Sequence, residues 1–182
     1  MTRGASGRQW LSAVCVALVL AVGLSACASV ATDTSAGSSS HQFGVQTKTS
    51  GCQAQNGLPD SACTPGDIIT SATTNQICQS GYASSVRNVP TSEKNQVYAE
   101  YGIASHYAGQ YEVDHLVSLE LGGSNDISNL WPELASPTPG FHQKDKVENY
   151  LHDQVCSGAV PLATAQQEIA TNWLAIYNQM NG

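Results

Sequence analysis

At 182 residues the chain has room for one globular domain and little besides. It carries 7 basic against 14 acidic side chains, and setting aside Arg3 and Arg8 at the N-terminus leaves 5 against 14, a net −9. That balance excludes binding driven by a broad basic surface, so any phosphate chemistry must rest on a local basic patch or a bound metal; in a secreted domain such acidity more commonly serves solubility.

Residues 1–26 have the form of a secretory signal, with Arg3 and Arg8 as the positive start and an apolar, uncharged run over 11–24. The run is short for a membrane-spanning helix. It ends in Leu24-Ser25-Ala26-Cys27, which resembles the bacterial lipobox, and the resemblance implies that Cys27 is acylated and becomes the first mature residue. The alternatives are an uncut anchor or an ordinary signal cut near Ala28. Residues 27–50 are rich in Ser, Thr, Ala and Gly and bury too little surface to offset their ordering entropy, so they read as a flexible tether. Residues 51–182 remain as the folded domain, placed in the cell envelope outside the cytoplasm.

Of the six cysteines, Cys15 lies in the signal and Cys27 at the acylation position. Cys52, Cys63, Cys78 and Cys156 form an even set in an exported domain, which points to two disulfides with three pairings possible. Cys52 and Cys63 are close enough to close the Gly/Pro-rich segment on itself; Cys78 and Cys156 would then clip the domain's start to its C-terminal helices. No CxxC pair is present, which argues against a thiolate zinc site.

Residues 51–90 are punctuated by Gly and Pro and read as irregular, with short β-prone pieces such as 67–70. Arg87 is the only arginine after the signal; it reads either as a surface ion pair or as a phosphate contact. Residues 91–101 follow Pro90, with Thr91 or Ser92 as N-cap, and place Val97, Tyr98 and Tyr101 on one buried helical face; Gly102 stops the helix. His106 falls in a solvated loop. From Glu112 the residues alternate, Val113, His115 and Val117 one way, Asp114, Leu116 and Ser118 the other, with residues 119–121 continuing the strand. Gly122-Gly123-Ser124-Asn125 is a turn, and Asn129-Leu130-Trp131-Pro132 returns as a second strand. Two helices close the chain. Over 143–155, Val147, Leu151 and Val155 form a stripe with Tyr150 beside them; from about Pro161, Leu162, Ala165, Ile169, Trp173 and Ile176 form another. Glu120 and Glu133 read as solvated or ion-paired, and His152 as a surface residue.

Adjacent strand residues face opposite ways, so Asp114 and His115 can share a site only where the strand bends or ends. Within that constraint, Asp114-His115, Gly122-Gly123 and Asn129-Leu130, followed by His142 on the next helix, resemble the HNH nuclease motif of the ββα-metal family. The direct match covers about 40 residues. A wider context, including the segment ICQSGYASSVR, the NLWP element and the surroundings of Lys144, Cys156 and Trp173, resembles exported HNH-like proteins and supports a Cys78–Cys156 bridge.

The resemblance implies an α+β domain with a ββα-metal core, additional helices and stabilising disulfides. It implies metal-dependent hydrolysis of phosphodiester bonds in nucleic acid, DNA before RNA. His115 would be the general base, while Asp114 and His142 would hold one divalent ion, magnesium first, with manganese, nickel or zinc also admitted by an imidazole ligand. Asn129 would brace the loop and orient His115; Arg87 and Lys144 would contact phosphate. A Pro/Gly-rich loop, SPTPG, separates Asn129 from His142, and if it displaces His142 then Lys144, Asp145 or Glu148 takes the third position, Glu148 being the poorest placed. The rival reading is a binding module that keeps the scaffold with little or no catalysis, favoured by the scarcity of basic residues; a third is a structural envelope lipoprotein. No feature points to a protein partner.

Overall fold

The computed structural model describes residues 41–182; the expected signal, Cys15, Cys27 and the first part of the expected tether lie outside the described residues. In chain order the elements are α1 (Thr74–Ile77), α2 (Tyr82–Val86), α3 (Thr91–Glu100), β1 (Tyr111–His115), β2 (Leu130–Leu134), α4 (Phe141–Cys156) and α5 (Leu162–Asn181), with 3-10 turns at Leu119–Leu121 and Ile127–Asn129 between the strands. The result is a mixed α+β domain built around one two-stranded antiparallel sheet. Among the described residues no helix is long and apolar enough to cross a membrane.

The sheet register sets everything around it. Asp114 pairs with Trp131, Val113 with Pro132 and His115 with Leu130. Directly opposed residues share a face, so Asp114 and Trp131 look one way while Val113, His115 and Leu130 look the other. Each face meets a different core. Trp131 joins the main cluster with Val147, Leu151, Val155, Ile169 and Trp173, which is where the α4 and α5 stripes meet. Val113 and Leu130 join a smaller cluster with Val97 and, at its edge, Tyr98. The period-3.6 stripes of α4 and α5 are therefore buried as their spacing predicts, with Leu162 half-buried, whereas Tyr150 is exposed and on α3 only Val97 is buried, Tyr98 and Tyr101 being half-buried against different clusters.

α5 departs from helical geometry at Asn172, and Trp173 immediately after it is buried, its Nε1 donating to the Gly57 carbonyl at 2.7 Å. Both disulfides form as Cys52–Cys63 and Cys78–Cys156, the second joining the α1 end to the last residue of α4. Such bridges suit an oxidising, extracytoplasmic environment.

The structure departs from the sequence-based expectations in several places. Residues 119–121 do not extend β1. Ser118 Oγ accepts the Glu120 N–H, the Gly123 N–H returns to the Ser118 carbonyl, and the chain turns with Leu119 and Leu121 both buried. Gly122 takes a left-handed φ of 75°, and a Cβ on Gly123 would collide with the Val117 carbonyl, so the turn needs glycine at both positions. The segment 51–90 is less irregular than expected: it holds α1, whose Thr73 N–H donates to Gln76 Oε1 as in a capping box, and α2. Of residues 67–70, only Ile68 makes a bridge, to Gly123.

The tether ends earlier than expected. Residues 41–50 lie against the domain. The His41 N–H donates to Gln167 Oε1 at 2.8 Å, the Gly44 N–H to the Gly66 carbonyl at 2.7 Å and the Thr47 N–H to the Ala62 carbonyl at 2.8 Å, while Phe43 packs on the main core. Backbone pairing supplies what the composition of this stretch lacks.

Candidate functional site

The helical phase of α4 decides which of its polar residues enters the fold. Lys144 precedes Val147 by three residues and Leu151 by seven, so it falls on their buried stripe. His142 lies two residues away, about 200° round the helix. Accordingly Lys144 is 0% exposed, whereas His142 is exposed with its ring on Phe141, centroids 4.2 Å apart, and makes no hydrogen bond among the described residues.

Lys144 Nζ spends its three protons on buried acceptors. It donates to Asp114 Oδ2 at 2.7 Å, to the His115 carbonyl at 2.7 Å and to Glu148 Oε1 one turn along the helix. Glu148 Oε2 accepts from Ser118 Oγ at 2.8 Å, and Asp114 Oδ1 accepts the His115 N–H at 2.8 Å. Glu133 is buried nearby, and neither of its carboxylate oxygens has a hydrogen-bond partner.

One ammonium cannot balance three buried carboxyl groups. Burial alone would strip Lys144 of its proton, but Asp114, Glu148 and Glu133 outweigh it and hold its pKa above the ordinary value. Burial also opposes the Asp114 charge; Lys144 beside it wins, and the Asp114 pKa is lowered. The deficit falls on the other two. Burial pushes Glu133 up to about 10, against the pull of Lys144 and with the push of Asp114, and burial pushes Glu148 up to about 7. At neutral pH Glu133 is therefore a neutral acid.

His115, on the other face of β1, belongs to a second network. Asn125 Nδ2 donates to the Val86 carbonyl at 2.8 Å, and the Asn88 N–H donates to Asn125 Oδ1 at 3.1 Å. These two backbone groups fix which way the amide faces, so Oδ1 is what His115 Nε2 meets at 3.2 Å. Nε2 must then carry the proton, and Nδ1 holds the free lone pair and makes no hydrogen bond among the described residues. Burial, with Arg87 and Lys144 adding to it, depresses His115 to about 4 despite the opposing effects of Asp114 and Asn125, so the ring is neutral at pH 7.

Asn129 is fully buried. Its Oδ1 accepts from the Val117 N–H at 2.9 Å and the Asp67 N–H at 3.2 Å; its Nδ2 donates to the carbonyls of Val117 at 3.0 Å and Ser124 at 2.8 Å. These bonds brace the β1–β2 connection and leave nothing for the His115 ring, which Asn125 orients instead.

The expected site residues thus divide. Asp114 and His115 adjoin through the backbone and through Lys144, which bonds to both, while their side chains face apart. Lys144 cannot contact phosphate, because it is buried with every proton engaged. Arg87 is exposed and has no ion pair among the described residues. Glu133 is neither solvated nor ion-paired, and Glu120 Oε2 is also buried without a partner. His152 is half-buried, with Nε2 3.1 Å from the Ile77 carbonyl.

The residues do not fit a metal held by Asp114 and His142. An ammonium fills the position facing Asp114, and the imidazole points away. Among the described residues the one set of three ligand atoms within 4.8 Å of one another is Cys78, His152 and Cys156, and the disulfide between the two cysteines leaves no thiolate for a metal.

Sequence reasoning gave Asn125 only a turn role, read Glu133 as solvated or ion-paired, and kept Glu148 only as the poorest-placed alternative ligand. Glu148 was legible: it lies four residues from Lys144 on the same helical face. Asn125 was not, because the groups it clamps are 37 and 39 residues away.

Two clefts lie close by. The larger, about 780 Å³, runs past Tyr101, Leu134 and Pro139, is largely apolar, and does not reach the polar atoms of Trp131 and Glu133, which are sealed off. The smaller, about 380 Å³, opens on the His115 side of β1 and includes Arg87 and Val113. No protein family, curated protein or solved structure matches the chain.

Proposed function

We propose that the chain is an exported phosphodiester hydrolase of the HNH type, anchored through Cys27, with β1, β2 and α4 as its ββα unit and nucleic acid as its substrate. The observation that carries this reading is the state of His115: a buried ring, 2% exposed and neutral, its tautomer dictated by Asn125, with Nδ1 making no hydrogen bond among the described residues. In the reaction, once the buried ring is opened to solvent, Nδ1 takes a proton from water as the water oxygen bonds to phosphorus, the bond to the leaving sugar oxygen breaks, and that oxygen takes a proton from a solvent water. Arg87 faces the charge on the non-bridging oxygens.

The experiment is cleavage of plasmid DNA and of RNA by the full chain, with magnesium, with manganese and with EDTA, beside His115→Ala. Cleavage lost in the variant supports the reading. Intact substrate in every arm would refute it.

One observation favours a second reading, a nucleic-acid-binding module with little catalysis. Lys144 neutralises Asp114, the residue that would otherwise offer a free carboxylate to a metal. Substrate retention without cleavage in any arm, unchanged by His115→Ala, is its signature.

A further inference from the structure

The five basic residues after the signal all lie among the described residues. Lys48 pairs with Asp60 at 2.8 Å, and Lys144 is buried with its protons spent. That leaves Arg87, Lys94 and Lys146 without an ion-pair partner among the described residues. Two of these three, Arg87 and Lys94, line the same cleft of about 380 Å³. Glu112 is the one acidic residue lining it, so the cleft is net cationic on a domain that is otherwise acidic. A phosphate approaching the molecule is repelled nearly everywhere else and favoured here.

Half of the remaining lining is aromatic: Tyr98, Tyr111 and Phe141 contribute to the walls beside Val89, Gly109 and Val113. Cations beside aromatic rings form a surface that takes a phosphate and a flat base together. A base reaches such rings only when it is unpaired, which selects against duplex. The cleft lies on the strand face that carries the candidate base, although His115 itself is buried and does not line it. Val113 lines it and shares the His115 face of β1, and the residues flanking Arg87 are held by the same Asn125 amide that holds the His115 ring.

The geometry points to this cleft as a subsite for one nucleotide of a single-stranded nucleic acid, its phosphate between Arg87 and Lys94 and its base against Tyr98, Tyr111 or Phe141, on the face of β1 that carries His115. The inference rests on the proposed hydrolase reading and adds to it a strandedness and a second cation, Lys94.

The test measures binding apart from cleavage. The full chain carrying His115→Ala is titrated with a labelled thymidine octamer, an abasic octamer with the same phosphates, and an eight-base-pair duplex, by fluorescence anisotropy over a range of salt. The thymidine octamer binds about tenfold or more tighter than the abasic one. Lys94→Gln and Arg87→Gln, both at exposed positions, each flatten the salt dependence by about 0.7 in log–log slope, as the loss of one single-strand phosphate contact requires. Lys146→Gln, an exposed cation outside the cleft, leaves it unchanged. Equal affinity for the octamer and the duplex, or a Lys94→Gln slope equal to the parent's, overturns the subsite. If the wild type cleaves nucleic acid and Lys94→Gln still binds like the parent, the subsite fails and the hydrolase reading stands. If binding behaves as expected and no protein cleaves, the subsite stands and the hydrolase reading fails.

Discussion

Replacing Lys144 with methionine keeps the length of the side chain and removes its charge. Three buried acceptors lose their donor at once: Asp114 Oδ2, the His115 carbonyl and Glu148 Oε1. Removing one member of a buried ion pair strands the other, at a cost of about 3–5 kcal/mol. That is a large share of a typical domain's stability, yet it leaves a measurable folded population. In urea, with a slope of about 2 kcal/mol per molar, the midpoint falls by about 2 M at pH 7.5. The pH dependence has a definite sign. In the wild type Asp114 has a lowered pKa, so its contribution is present above its unfolded value and lost as pH falls. Without the ammonium, Asp114 and Glu148 are buried carboxyl groups with no cation, and their folded pKa values rise above the unfolded ones. Their stability is then lost as pH rises, so the gap between variant and wild type widens from pH 5 to pH 7.5. A variant within about 1 kcal/mol of wild type at pH 7.5, or a gap that does not narrow at pH 5, would show that Lys144 is not the cation holding this cluster.

Glu133→Gln should be at least as stable as wild type at pH 8 and lose that advantage towards pH 5. Its folded pKa of about 10 lies above the ordinary glutamate value of 4.5, so the wild type gives up stability as pH rises between them; urea midpoints across pH check this. Opening Cys78–Cys156 by a paired Cys→Ala change should cost about 4 kcal/mol and opening Cys52–Cys63 about 3, since sequence separations of 78 and 11 constrain the unfolded chain unequally; thermal or urea unfolding gives the ranking, and the reverse order would count against the entropic account. Asn125→Asp places a carboxylate at Nε2 and should raise the His115 pKa, read from its ring chemical shifts against pH; no movement would mean that Asn125 does not set the ring's state.

Much of this architecture is written locally. The stripes of α3, α4 and α5 recur every three or four residues, and the Gly122-Gly123 turn sits where the chain must reverse. Period-2 alternation already required Asp114 and His115 to face apart, and they do. The β1 extension was misread because alternation of large apolar residues also fits a tight 3-10 turn in which both Leu119 and Leu121 are buried. His142 was misread because spacing along a motif carries no helical phase until the start of α4 is known. With α4 beginning at Phe141, the inward position belongs to Lys144.

The sequence by itself determined the even set of four cysteines beyond Cys27, the acidic balance, the amphipathic helices and the polar cluster around the glycine turn, because each depends on composition or on neighbours within a turn or two. Only the tertiary structure decided that the cation at Asp114 is an ammonium delivered from 30 residues away, that Glu133 is held neutral beside it, and that Asn125 rather than Asn129 sets the His115 ring. Those outcomes turn on burial. A charge or a proton costs little in water and a great deal in a packed interior, so its fate is settled by partners that are distant in the chain and close only in the fold.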